Sequence, residues 1–98
     1  MSFRLLVRHE AELDIDEAVS WYEGERPGLG DRLSAELTAL FARITRAPLQ
    51  FPVVGNGVRR GLLHKFSYSV YFLQEEETVT VLAVLHQRQD PDIWKRRL

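Results

Sequence analysis

Apolar and polar residues change their spacing along this chain, and each change marks an element. Phe3-Arg4-Leu5-Leu6-Val7-Arg8 is a short apolar-rich run with basic residues near both ends, the pattern of a strand. From Glu10 to about Glu25 the period becomes helical. Ala11, Ile15, Ala18 and Tyr22 recur on one face with Val19 beside them, and Glu12, Asp16, Glu17 and Glu23 occupy the other. Acids near the start of this helix suit its dipole. Trp21 and Tyr22 are expected to anchor its second half. Pro27-Gly28 ends it.

A second helix is predicted from the Leu29–Asp31 region to Ala47. Leu29, Leu33, Leu37, Leu40, Phe41 and Ile44 form the cleanest helical stripe in the chain, and Pro48 stops it. Two helices joined by so few residues pack as an antiparallel hairpin. Positions 48–57 hold two Pro and two Gly and read as a loop, pinned to the body through Leu49, Phe51 and Val53. Three strands follow, over 58–64, 66–73 and 78–86. In the second, Phe66, Tyr68, Val70 and Phe72 share one face, and Ser67, Ser69, Tyr71 and Leu73 share the other. The third is apolar on both faces (Val79, Val81, Ala83 and Leu85 against Thr80, Leu82, Val84 and His86), which suits an interior strand. Asp90-Pro91 resembles a helix start, and Ile93 to Arg97 supplies one or two turns. The predicted fold class is α+β: an N-terminal strand, a two-helix antiparallel hairpin on a mainly antiparallel four-stranded sheet, and a short C-terminal helix, in the order β-α-α-β-β-β-α.

Length and composition narrow this picture. The 98 residues form one domain, 1–98, with 45% hydrophobic and 28% charged side chains, an ordinary globular balance. The absence of Cys removes disulfides, thiolate zinc sites and cysteine nucleophiles. No apolar run approaches the ~20 residues that span a bilayer. A soluble, cytoplasmic protein is expected, with no membrane partner. The net charge of −1 does not suggest a general nucleic-acid binder, but the charge is unevenly placed. Residues 1–50 carry six basic and nine acidic side chains, and residues 51–98 carry seven and five.

Few residues carry candidate chemistry. His9, His64 and His86 are scattered, and no metal motif is present. Gly28-x-Gly30 lies between two helices and is no dinucleotide fingerprint. The acidic pairs Asp14/Asp16 and Glu23/Glu25 read as solvated. Two clusters remain. Arg59 and Arg60 are neighbours on a strand and so face opposite sides, at most one of them towards the helical layer. They serve either a partner or the protection of a strand edge. His86-Gln87-Arg88-Gln89-Asp90-Pro91 with Trp94 sits where the last strand leaves the sheet. Arg88 could meet a phosphate or carboxylate, or bridge to Asp90 or Asp92. Trp94 could brace the last helix or anchor a partner.

With these residues in place, the chain resembles the toxin subunits of bacterial type II toxin–antitoxin modules, the group that includes ParE and RelE. The likeness runs through Ala18-Val19-Ser20-Trp21-Tyr22-Glu23, Pro27-Gly28-Leu29-Gly30-Asp31-Arg32-Leu33, Val58-Arg59-Arg60, Tyr68-Ser69-Val70-Tyr71-Phe72 and Val84-Leu85-His86-Gln87-Arg88-Gln89-Asp90-Pro91-x-x-Trp94. RelE-like members cut messenger RNA on the ribosome with basic residues on the late strands and a C-terminal Tyr, whereas ParE-like members poison DNA gyrase. Ser69 and Trp94 stand at two of those nuclease positions, so the resemblance implies the ParE-like side. It implies a toxin that inhibits growth, is no enzyme, needs no cofactor or metal, and forms a hetero-oligomer with a cognate antitoxin. DNA is then met only through the antitoxin. Arg59, Arg60, Arg88 and Trp94 are the expected partner contacts. The alternatives are a RelE-like ribosome-dependent endoribonuclease using Arg88, Arg60 and His86, or an inactive homologue that only partners an antitoxin.

Overall fold

In the computed structural model, which describes residues 2–98, β1 (Arg4–Val7) leads within two residues into α1 (His9–Glu25). The chain turns at Pro27-Gly28 into α2 (Leu29–Arg46), and a 3-10 turn follows at Pro48–Gln50. Four strands come next: β2 (Val53–Gly55), β3 (Val58–Leu62), β4 (Tyr68–Glu75) and β5 (Thr78–His86). The short helix α3 (Ile93–Arg96) closes the chain. The sheet has five strands in the order β1-β5-β4-β3-β2. Only β1 pairs in parallel, against β5.

The expected four-stranded sheet therefore gains one strand. Residues 53–55 do not belong to a plain loop; they add β2 to the edge of β3. Asn56 and Gly57 both have positive φ, at 51° and 78°, and join these strands in a two-residue hairpin loop. Of the three residues expected to pin this segment, only Phe51 does so, edge-to-face on Phe72. Leu49 and Val53 are exposed, and Pro48 is the buried one.

The α2 stripe behaves as its spacing requires. Leu33, Leu37, Leu40 and Ile44 are each no more than 2% exposed and pack on Val70, Phe72, Val79, Val81 and Val84 of the sheet. Burying each such side chain contributes roughly 1.5–3 kcal/mol. On α1, Ala11 and Ala18 are buried and Tyr22 packs against the same core. Trp21 does not anchor the helix: it is 59% exposed, because it lies about 100° round the helix from Tyr22. The two helices approach closely at Gly30, where a Cβ would come within 2.7 Å of the Val19 carbonyl oxygen. Glu23 is exposed as expected, but it also has a structural contact. Its two carboxylate oxygens accept from the backbone N–H groups of Gly28 (2.9 Å) and Gly30 (3.0 Å), capping the start of α2.

β5 departs from strict alternation. Opposite β4, Tyr71 pairs with Ala83 and Phe72 with Val81, so Leu82 is an extra residue. This bulge shifts the pleat by one. Val79, Val81 and Val84 face the helical hairpin, while Leu82, Ala83 and Leu85 face the opposite side. The expected grouping of Val81 with Ala83 and Leu85 is corrected by this single insertion. A second, smaller core forms on the far face of the sheet, where α3 lays Trp94 over Tyr71, Val58 and Leu85.

Candidate functional site

β3 and β4 run antiparallel with Arg60 opposite Tyr71 and Leu62 opposite Ser69, which puts all four on the sheet face turned away from the helical hairpin. The turn after β5 brings Gln87, Gln89 and Pro91 over the same patch. Together these seven residues line a cleft of about 360 Å³. Ser69 is the buried polar residue at its floor, 2% exposed. Arg60 is half-buried, and its Nε is shielded from solvent with no acceptor among the described residues. A buried donor left unpaired is unfavourable, so Arg60 is primed to gain from any carboxylate or phosphate brought to it.

Arg59 is turned the other way. Its Nη1 donates to the carbonyl of Phe51 at 2.6 Å and more weakly to that of Leu49 at 3.4 Å. It ties the 3-10 turn to β3, a structural role. Trp94 is 2% exposed, and its ring stacks on Tyr71 with centroids 5.9 Å apart and planes 21° apart. Of the two roles open to Trp94, the geometry supplies the brace. Arg88 is fully on the surface in the turn after β5, where its backbone N–H donates to His86 Nδ1 at 3.0 Å. It bridges to neither Asp90 nor Asp92; those carboxylates pair with Arg96 (3.6 Å) and Lys95 (3.1 Å).

His86 belongs to a different place. Its ring meets Tyr68 edge-to-face at 5.2 Å, on the hairpin side of the sheet. The trio Arg88, Arg60 and His86 is therefore not assembled: Arg60 and His86 lie on opposite faces. His86 instead helps line a groove of about 340 Å³ between α1 and the ends of β4 and β5. Asp14, Glu17, Trp21, Tyr22 and Tyr68 complete its polar and aromatic wall. Burial, with the nearby Tyr22, Glu17 and Asp14, raises the Tyr68 pKa above its usual 10.0 and keeps the phenol neutral.

Asp14 is the residue whose placement differs most from its solvated sequence reading. Its carboxylate takes both Nη atoms of Arg97, at 2.7 and 3.2 Å, and accepts from the Val84 backbone N–H at 3.0 Å. The stripe Asp14, Glu17, Ala18, Trp21 at helical spacing was the available signal for this groove. It was obscured because two acids and one exposed Trp resemble an ordinary wet face.

Comparison with known proteins gives a consistent outcome. A family model for the ParE toxin of the type II toxin–antitoxin system parDE matches residues 5–91. Toxin ParE2 of Mycobacterium tuberculosis, in two strains, is 33% identical over 93 residues, covering 94% of this chain and 89% of the relative. Among solved structures, one of the chromosomal ParDE toxin–antitoxin system of P. aeruginosa superposes with a TM-score of 0.77 at 17% identity. That match covers 87% of this chain and 96% of the other. A chain of the toxin–antitoxin complex RelBE2 of Mycobacterium tuberculosis matches with a TM-score of 0.61 at 18% identity, covering 88% and 99%. At these identities the two structures speak for the fold.

Proposed function

The chain belongs to the ParE toxin family of type II toxin–antitoxin systems, and from that premise we propose that it arrests growth by engaging DNA gyrase and is neutralised by a cognate antitoxin. The observation that favours this over RNA cleavage is the make-up of the open-face cleft. Cutting at a ribose 2′-OH needs a base, an acid and a cation near the phosphorane. The cleft offers one cation, Arg60, beside a serine and two carboxamides. No imidazole lines it; His86 opens into the other groove and His64 lies beside α2. The phenol present, Tyr71, is 7% exposed and stacked on Trp94.

In this reading Arg60 and Arg88 are the partner contacts, and Arg59 and Trp94 hold the scaffold that presents them. The complex is a hetero-oligomer in the cytoplasm, and DNA is reached through the antitoxin or the gyrase rather than directly. Controlled induction in bacteria, with and without the neighbouring open reading frame, is the first test. Purified protein added to gyrase is the second. Expected are growth arrest relieved by the neighbour, reduced supercoiling and accumulated cleavage complexes. Unaffected gyrase together with transcripts cut at ribosome-occupied codons would overturn the proposal.

A further inference from the structure

We propose that the groove between α1 and the ends of β4 and β5 is a receptacle for one basic side chain, an arginine, carried by the antitoxin. The inference rests on the reading that an antitoxin binds this chain, and it adds the chemistry of one contact.

The walls are aromatic. Trp21 packs edge-to-face on Tyr22 at 4.9 Å, Tyr22 meets Tyr68 at 6.1 Å, and Tyr68 meets His86 at 5.2 Å. Trp21 is 59% exposed, a large apolar surface that a partner would cover. Ring faces attract cations.

The charge at the rim selects the guest. Asp14 is already matched by Arg97. Glu17 also lines the groove, and among the described residues it forms no ion pair. The helix it rides on carries seven acidic side chains and no Lys or Arg. An anion would be repelled here. A neutral apolar guest would strip water from the Glu17 carboxylate and return nothing for it. A cation on an apolar stem satisfies both features: its charge meets Glu17 while its stem lies on Trp21. Guanidinium fits better than ammonium, because it is planar, stacks on indole and donates two parallel hydrogen bonds to a carboxylate.

The first experiment titrates the isotope-labelled full chain with N-acetyl-argininamide, with the neutral isostere N-acetyl-citrullinamide as control, observed by NMR. The Trp21 indole N–H and the Tyr68 and His86 rings are expected to shift with the arginine compound alone, and Glu17→Gln should weaken that response at least fivefold. Equal shifts from both compounds, or none, would overturn the proposal. The second experiment measures binding of the intact antitoxin to wild type, Glu17→Gln and Trp21→Ala. Both positions are exposed, so thermal melts should stay close to wild type while affinity falls at least tenfold. Unchanged affinity in both variants removes the arginine contact and leaves the antitoxin reading standing. An antitoxin that fails to bind wild type removes that reading instead, and the argininamide titration still decides the chemistry of the groove.

Discussion

Asp14 and Arg97, 83 residues apart, hold each other across the bulge in β5. Arg97 also donates to the Leu82 carbonyl at 3.0 Å, and Asp14 accepts from the Val84 N–H at 3.0 Å. Leu82, the bulge residue itself, and Val84 lie just past the point where β1 has ended. The ion pair thus satisfies backbone groups that no neighbouring strand reaches. The hydrogen bond to Asp14 raises the Arg97 pKa, so this guanidinium stays charged. Arg8 adds a contact to the Arg97 carbonyl, closing the two ends of the chain together. Arg97 lies beyond residues 5–91, the span shared with the family model, so the family match does not cover this clamp.

Replacing Asp14 with Ala should destabilise the fold by about 3 kcal/mol, the low end for breaking a buried ion pair, since both side chains keep 15–19% exposure. The loss comes from leaving Arg97 uncompensated and the Val84 N–H without its acceptor. Urea unfolding measures it. An Asp14→Ala, Arg97→Met double variant should recover part of the loss.

Two glycines separate backbone entropy from close packing. At Gly30 an added Cβ meets the Val19 carbonyl at 2.7 Å, and backbone cannot yield as a side chain can. Gly30→Ala should cost roughly 1–3 kcal/mol by forcing the hairpin apart. Gly24 is helical, with nothing within 4 Å of its Cβ position. Gly24→Ala should stabilise by about 0.5–1 kcal/mol. Thermal melts of the two variants should move in opposite directions.

Trp94 and Arg60 share the open face and should respond differently. Trp94→Ala opens a cavity over Tyr71 and should cost roughly 3–5 kcal/mol, with toxicity lost together with the fold. Arg60→Met removes a buried, unpaired Nε and should leave stability equal or about 1 kcal/mol higher. Growth arrest should weaken in Arg60→Met while its melt holds. A melt lowered as far as that of Trp94→Ala would make Arg60 structural.

Tyr68 sets a pH dependence on the alkaline side. Its phenol pKa is raised in the folded state above the 10.0 of the unfolded chain, so the native protein holds this proton longer. That contribution is complete below pH 10 and disappears as pH rises through the folded value. When phenolate absorbance is followed, the Tyr68 component should ionise late. Tyr68→Phe should remove that late component and flatten the alkaline fall in stability.

The helical hairpin was legible from one sequence because its information is local. The spacing of Leu33, Leu37, Leu40 and Ile44 names both the element and its buried face, and Pro27-Gly28 and Pro48 name its ends. The alternating faces of β4 were equally plain. The extra strand β2 carries a local signal, Asn56-Gly57 after Val53-Val54 and before Val58, within a segment whose two Pro and two Gly read as a loop. The ordered motifs from Ala18 to Trp94 were enough to place the chain beside its family.

The candidate sites were less legible. Arg59 and Arg60 are identical as residue types, and strand parity separates them without saying which faces the helices. The pairing of Arg60 with Tyr71 and Gly61 with Val70 settles it: Gly61 lies against Leu40, Phe51 and Ile44 on the inner face, so its neighbour Arg60 faces outward. His86 changed groove through one inserted residue, Leu82. Asp14 becomes a clamp, and the exposed Glu23 also serves as a cap, because their partners lie 5 to 83 residues away. Helix and strand periods arise from contacts a few residues apart and are written into any short window of sequence. Bulges, ion pairs and clefts depend on distant registers meeting in space, and packing of the whole chain creates them.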